Sequence, residues 1–278
     1  MKILIASKDK FDIIIVAGQS NASGCGKGKT STPWETNPRI MMLNEDFTAD
    51  VVKTPYGDMM DITSTGNMHI DVADERSENG EKLAVFCLSF AKEYLENNLE
   101  DDRKILLVQT AVGGTGFARK HWGENDKLAK RMYEMVDQAL SMNPENRVVG
   151  VLWHQGEHDI FENASFDYQR RYDFYYENFS KLIRNLREKY GENLPFISGG
   201  FCKNWLITES EESVRAVTNA ILDVHKTISN SAHVIETDDL KSNHEVLGNE
   251  DVVHFCRDSS YELGRRYYKK FKSIIKGV

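Results

Sequence analysis

Ser20 is the first residue in the chain whose type and surroundings suggest catalysis. It lies in the run Gly18-Gln19-Ser20-Asn21, directly after the apolar segment 12–17. If that segment is a strand of an open parallel sheet, Ser20 stands at its carboxyl end, where such sheets bind ligands. A serine hydroxyl becomes a nucleophile when a base removes its proton and a third group orients that base. Without such a base, Ser20 is a simple turn residue.

Asp251 and His254 supply a base and a carboxylate to orient it. They are three residues apart, a spacing that lets the carboxylate reach the imidazole Nδ1 if the backbone turns between them. The imidazole Nε2 then remains free to face Ser20. This pair lies between the last predicted strand and the last predicted helix, which places it at the same edge of the sheet as Ser20.

Two further polar clusters follow predicted strands. One is His154-Gln155-Gly156-Glu157-His158-Asp159 and the other is Gly113-Gly114-Thr115. Acyl transfer needs hydrogen-bond donors aimed at the developing oxyanion, and both glycine amides and the NH₂ group of Gln155 offer them. The convergence of four polar clusters at one edge favours a site for acyl transfer.

The elements that must position these residues alternate along the chain. Strands are predicted at 12–17, 105–110, 148–153, 195–198 and 233–236, and helices at about 81–97, 126–141, 167–190, 209–228 and 260–275. This alternation is typical of βαβ units around a parallel sheet that is buried on both faces. The spacing of Thr208 with Glu211, and of Ser259 with Glu262, predicts helix starts at these two places.

Composition limits the class of protein. The 35 basic and 43 acidic side chains give a net charge of −8, so nucleic acid and anionic membrane surfaces are poor partners. The four cysteines form no C-x-x-C pair, so neither a zinc ribbon nor a disulfide framework is expected. The first residues do not read as an export signal and no apolar run reaches membrane-spanning length, so we expect a cytoplasmic protein. The sequence does not indicate an oligomeric state.

One domain is predicted for residues 1–278. The chain contains no repeat and no linker, but the segment at about 18–80 is rich in Gly, Pro, Asn, Asp and Thr. Such a composition predicts a loop-rich insertion. Functional groups concentrate in loops carried on a rigid sheet, so this insertion is a candidate wall of the site.

The ordered clusters at 18–21, 113–115 and 154–159, together with Asp251-x-x-His254, resemble the blocks of the SGNH/GDSL hydrolase superfamily. More narrowly, they are similar to its sialate O-acetylesterase-like branch, which includes the family 6 carbohydrate esterases. The resemblance implies a three-layer α/β/α sandwich with a five-stranded, mostly parallel, flavodoxin-like sheet. It also implies removal of acetyl groups from sugars without a metal or another cofactor.

The resemblance implies a role for each block. Ser20 would be the nucleophile that forms an acetyl-serine intermediate, and His254 the general base and acid. The amide of Ser20, an amide of Gly114 or Gly113, and the side chain of Gln155 would form the oxyanion hole. Either Asp251 or Glu157 would orient His254. The predicted substrate contacts are Asn21, Gly113, Thr115, Arg119 and Trp122.

The expected partner is a small acetylated sugar, either a xylo-oligosaccharide or a sialic acid. Two other functions remain open from the residues alone. The segment from His154 to His158 spells H-x-x-E-H, a zinc hydrolase pattern in which both histidines bind the metal. The same pocket would also serve a protein that binds carbohydrate without catalysis, with Ser20 unreactive.

Overall fold

The computed structural model describes residues 7–30, 35, 37–43, 49–51, 59–62, 68–70, 83–162 and 165–275. A search of these residues finds no helix long and apolar enough to cross a membrane.

Seven strands of the described residues form the main sheet. They are β1 (Lys10–Gly18), β2 (Ile40–Leu43), β3 (Ala49–Val51), β6 (Arg103–Gln109), β7 (Arg147–His154), β8 (Phe196–Gly199) and β9 (Ser231–Val234). Their order across the sheet is β3-β2-β6-β1-β7-β8-β9. All neighbouring strands pair in parallel, except that β3 is antiparallel to β2 at the edge. Strands β4 (Met59–Ile62) and β5 (Met68–Ile70) form a separate antiparallel pair.

Helices cover the sheet. They are α1 (Ser20–Ser23), α2 (Phe86–Asn97), α3 (Lys127–Ser141), α4 (Glu157–Phe161), α5 (Tyr168–Tyr190), α6 (Lys203–Leu206), α7 (Glu211–Thr227), α8 (Asn243–Leu247) and α9 (Arg257–Ile275). Helix α2 packs against α9, and α5 packs against α7. Every residue of β1 after Lys10 is buried, and successive side chains of a strand point to opposite faces. Both faces of the sheet are therefore covered, as the α/β prediction requires.

The predicted mostly parallel α/β fold is confirmed, but the predicted strand number is wrong. Each of the five predicted strands overlaps an observed one, whereas β2 and β3 lie inside the segment that was predicted to be loops. The run Ile40-Met41-Met42-Leu43 pairs in parallel with β6 and brings the parallel strands to six. The helix starts also differ: Ser210, and not Thr208, caps α7, and α9 begins at Arg257, before Ser259.

A buried charged cluster ties the amino ends of the central strands together. The Asp12 carboxylate is 0% exposed and accepts from Arg103 Nε and Arg147 Nε, both at 2.7 Å, and from the Tyr94 hydroxyl at 2.7 Å. Arg103 also donates to the carbonyls of Phe11 and Glu145. These bonds satisfy both buried charges at the end of the sheet opposite the end where Ser20 lies.

We expect Asp12→Ala to lower the free energy of unfolding by about 3–5 kcal/mol, because it leaves the buried Arg103 guanidinium without its counter-charge. Urea denaturation measures this change. The matched control is Lys10→Ala, which removes an exposed pair with Asp102 and changes stability far less. Equal losses in the two variants would show that the Asp12 cluster does not anchor the sheet.

Candidate active site

The carboxyl end of β1 places Ser20. Gly18 has φ +122°, and a Cβ at this position would overlap the backbone of His154 in the neighbouring strand, so only glycine allows this exit from the sheet. The Gln19 amide then donates to the His154 carbonyl at 2.8 Å. Ser20 follows as the half-buried first residue of α1. Gly113 lies beside it, since a Cβ on Gly113 would be 3.7 Å from the Ser20 Cβ.

The Asp251 carboxylate contacts His254 directly. Its Oδ1 accepts from the His254 Nδ1 at 2.7 Å and from the His254 backbone amide at 3.2 Å. Its Oδ2 accepts from the Asn243 side chain at 2.8 Å. Asn243 is fully buried and also donates to the Cys25 carbonyl at 2.8 Å. Asp251 therefore holds the imidazole by its Nδ1, the contact that the D-x-x-H spacing predicted, and a further side-chain hydrogen bond joins the ring to Cys25.

Asn21 connects the segment of Ser20 to the segment of His254. The Asn21 Nδ2 donates to the carbonyl of Val253 at 3.2 Å, and its Oδ1 accepts from the amide of Phe255 at 3.1 Å. These two backbone groups flank His254 on either side. The hydrogen bonds therefore bring the residue after Ser20 against the chain on both sides of His254, across more than 230 positions of sequence.

Opposing effects act on the pKa of the His254 imidazole. Burial lowers the pKa of the imidazole, but the charge of Cys25, hydrogen bonds to Asp251 and Cys25, and the charge of Asp251 outweigh burial and raise the pKa well above its ordinary value. Burial raises the pKa of the Asp251 carboxyl, but its bonds with His254 and Asn243 dominate and lower that pKa. No motif pointed to Cys25 or Asn243, because both act on the site through contacts with no local sequence pattern.

Among the described residues, the Glu157 side chain contacts Asn21 and His154, and no hydrogen bond joins it to His254. Its Oε1 accepts from the Asn21 Nδ2 at 2.9 Å and lies 3.5 Å from the His154 Nε2. Of the two carboxylates that the sequence left open, it is that of Asp251 that contacts His254 in this structure. Burial raises the pKa of Glu157, but His154 and Asn21 lower it by more, so the group is held as a carboxylate.

Gln155 has no free donor for an oxyanion. Its Nε2 lies 2.7 Å from the Asp159 Oδ2, 3.1 Å from the Thr115 carbonyl and 3.3 Å from the Gln19 Oε1. An amide carries two hydrogens, and these three acceptors take both. The side chain is 1% exposed, so the donors predicted for the oxyanion are directed into the protein in this structure. Instead, Gln155 joins the loops after β1, β6 and β7.

Three of the predicted substrate contacts are used inside the protein. Asn21 holds the His254 segment, and the Thr115 hydroxyl donates to the Val112 carbonyl at 2.7 Å while accepting from the Trp122 indole at 2.9 Å. Trp122 is 1% exposed and packs edge-on against Trp153, with ring centroids 5.2 Å apart. The ring therefore has no face open to a ligand in this structure, contrary to its prediction as a substrate contact. Its position in a loop-like stretch did not reveal this burial.

Arg119 and two histidines form a polar patch beyond the Gly113–Gly114 turn. Arg119 is 55% exposed and paired with Glu162, and the His158 Nε2 lies 3.4 Å from the same carboxylate. The His121 Nδ1 accepts from the Gly116 amide at 3.1 Å. Burial and then the charge of Arg119 lower the pKa of both histidines. We call Arg119, His121 and His158 the Arg119 patch. Sequence reasoning found Arg119 as a substrate contact and placed His158 in the zinc pattern, whereas His121 matched no pattern.

The zinc interpretation of His154 and His158 does not fit this geometry. The His154 ring is fully buried between the Tyr267 hydroxyl, 2.9 Å from its Nδ1, and Glu157. His158 points to Glu162 instead. Within the described ranges, no group of three or more His, Cys, Asp and Glu side chains could hold a metal ion.

Comparison with known protein families also indicates a carbohydrate esterase. The family model described as carbohydrate esterase, sialic acid-specific acetylesterase matches residues 10–273. A probable 9-O-acetyl-N-acetylneuraminic acid deacetylase from Escherichia coli (strain K12) is 23% identical over 231 residues, which cover 72% of this chain and 70% of that protein.

Solved structures share the fold. The crystal structure of NanS superposes with a TM-score of 0.71 at 18% identity, covering 99% of this chain and 100% of that one. A protein from Arabidopsis thaliana gives 0.65 at 21% identity, covering 94% and 98%. A carbohydrate acetylesterase from Xanthomonas citri gives 0.56 at 15% identity, covering 96% of this chain and 57% of that one.

The chain combines a mostly parallel sheet with Ser20 and the Asp251–His254 pair beyond the carboxyl ends of its strands. The family match extends over nearly the whole chain, so the chain belongs to the sialic acid-specific acetylesterase family of carbohydrate esterases. It is a carboxylic ester hydrolase that removes O-acetyl groups from carbohydrates.

We expect an NMR titration of His254 to give a pKa above 6.5, the ordinary value for histidine. Cys25→Ala removes one of the contacts that raise this pKa and leaves the opposing effect of burial, so the midpoint should move to lower pH. The matched control is Cys87→Ala, at a buried cysteine on α2, which should leave the midpoint in place. A midpoint that is the same with and without Cys25 would contradict this account.

Proposed function

We propose that Ser20 attacks the acetyl carbonyl of the substrate while His254 accepts the serine proton and Asp251 orients the imidazole. His254 then returns the proton to the departing sugar hydroxyl. Water, activated by the same histidine, releases acetate from the acetyl-serine. The observation that carries this proposal is the Asn21 bridge, because it brings the Ser20 segment against the segment of the Asp251–His254 pair.

For the oxyanion hole we propose backbone amides alone, since the Gln155 donors are taken. The amide of Ser20 at the start of α1 is one candidate. The turn at Gly113 and Gly114 is the other, because Gly113 lies beside Ser20 and the turn is exposed. Gly114 has φ +67°, which suits glycine and lets a backbone amide approach a ligand closely.

As the substrate we propose an O-acetylated sialic acid, in preference to a neutral xylo-oligosaccharide. The family description and the Escherichia coli relative support this choice. Support from the structure is the Arg119 patch, since a sialic acid carries a carboxylate that a guanidinium binds well. The His121 Nδ1 accepts a backbone hydrogen bond, so its other ring nitrogen carries the proton of the neutral form and serves as a donor.

Ser20→Ala should lower kcat for 4-nitrophenyl acetate by about a million-fold, because the nucleophile is lost and no acetyl-enzyme can form. Mass spectrometry of an acid-quenched reaction should find the acetyl group on the Ser20 peptide of the wild type. Ser23→Ala removes a buried hydroxyl from the same short helix and should change kcat far less. Undiminished turnover by Ser20→Ala would exclude the acetyl-serine mechanism.

Arg119→Ala should raise KM for an O-acetylated sialic acid by about tenfold, the loss expected for one charge-assisted hydrogen bond. KM for 4-nitrophenyl acetate, which has no carboxylate, should stay the same. The matched control is Arg265→Ala, which removes another surface arginine paired with a glutamate. An equal effect on both esters, or faster turnover of acetylated xylo-oligosaccharides than of sialic acids, would contradict the substrate proposal.

A further inference from the structure

Glu157 is a buried carboxylate that the proposed reaction does not use. It is 3% exposed, and its Oε2 has no hydrogen-bond partner among the described residues. Burying a carboxylate is costly unless it is paired. Its other oxygen accepts from the Asn21 amide at 2.9 Å, and the His154 Nε2 lies 3.5 Å from it. The free-energy cost of burying this carboxylate indicates that Glu157 has a specific role.

The Asn21 amide has no capacity left for a substrate. Its two Nδ2 hydrogens go to the Glu157 Oε1 and the Val253 carbonyl, and its Oδ1 accepts from the Phe255 amide. The side chain is 5% exposed. Because Glu157 takes one of the two hydrogens, it fixes the rotation of the amide and so aims the other hydrogen and the oxygen at the chain on both sides of His254.

Tyr267 and His154 fix the surroundings of Glu157. The single hydroxyl hydrogen of Tyr267 goes to the Trp153 carbonyl at 2.8 Å. The Tyr267 oxygen therefore accepts from the His154 Nδ1 at 2.9 Å, and this nitrogen must carry a proton. The His154 Nε2 lies 3.5 Å from the Glu157 Oε1, so the ring that Tyr267 holds stands beside this carboxylate.

We infer that Glu157 is a positioning residue: it holds Asn21, and Asn21 holds the backbone of His254 in line with Ser20. This inference rests on the proposed function, in which Ser20 and His254 react together. It assigns Glu157 neither the role of a catalytic acid nor a contact with substrate. Glu157 is fixed beside the His154 ring, which Tyr267 holds in place. Asn21 connects Glu157 to the backbone on both sides of His254.

The first test compares Glu157→Ala and Asn21→Ala with 4-nitrophenyl acetate as the substrate. Each should lower kcat by about 100-fold, the scale of a misplacement of about 1 Å, and leave KM nearly unchanged because neither group touches the ester. In the double variant kcat should be no lower than in the worse single variant, since Glu157 acts through Asn21. Multiplied losses would overturn the inference, because Glu157 would then act independently of Asn21.

Glu157→Gln separates positioning from charge, and it is isosteric in case the alanine variants fold poorly. Its carbonyl oxygen still accepts from Asn21, so kcat should fall at least tenfold less than in Glu157→Ala. The pH midpoint of kcat/KM should stay at the wild-type value, because Glu157 is not among the main causes of the raised His254 pKa. A loss equal to that of Asp251→Asn, about 10⁴-fold, would make Glu157 the orienting acid.

Asn146→Ala is the matched structural control. Asn146 is a buried asparagine that also bridges backbone groups, the Phe11 amide and the Ala139 carbonyl, both at 2.7 Å. It should lower stability and leave kcat of the folded protein at the wild-type level. A parallel loss of kcat in Asn146→Ala would reduce the Asn21 effect to general destabilisation. The Ser20→Ala result is read separately: if that variant stays active, the proposed function fails, whatever the Glu157 variants do.

Discussion

The Asn21 amide makes hydrogen bonds to groups 136, 232 and 234 residues away in the sequence. Three chain segments meet there: the start of α1, the start of α4 and the loop that carries Asp251 and His254. None of these segments could hold a serine and a histidine in register by itself, because α1 and α4 are single turns and the third segment is a loop. A buried, fully satisfied amide removes the freedom that short elements would otherwise keep, since breaking one bond leaves an unpaired group away from water.

Strand β1 extends this constraint through the molecule. Its nine residues span about 30 Å at the usual rise per residue of a parallel strand. Its amino end holds Asp12 in the buried charged cluster, and its carboxyl end leads through Gly18 to Ser20. Neighbouring parallel strands lie on both sides, so the position of Ser20 is set by the sheet. The interactions that stabilise the strand and those that support chemistry lie at opposite ends of it.

Much of this architecture follows from local sequence patterns. Buried strands read as apolar runs, and the rule that ligands bind at the carboxyl ends of parallel strands brought Ser20, the His154 segment and His254 to one edge. The strand at residues 40–43 was not predicted. Its four apolar residues are too few to show the hydrophobic periodicity of a strand, and the surrounding segment is rich in turn-forming residues. The side-chain direction of Gln155 could not be predicted either. Its residue type suits an oxyanion hole, but its direction depends on hydrogen bonds with Asp159 and Gln19. Contacts of Cys25 and Asn243 with the site join distant segments and leave no spacing to read.

The edge-to-face packing of Trp122 on Trp153 gives the protein an optical reporter. Both indoles are fixed and buried directly beneath the turn that follows β6, and Trp122 is hydrogen-bonded to Thr115 in that turn. Rigid aromatic rings in a chiral environment produce near-ultraviolet circular dichroism, which vanishes when tertiary packing loosens. With four tryptophans in the chain, a band from this pair would register loosening around the catalytic edge, even while the sheet itself stayed folded.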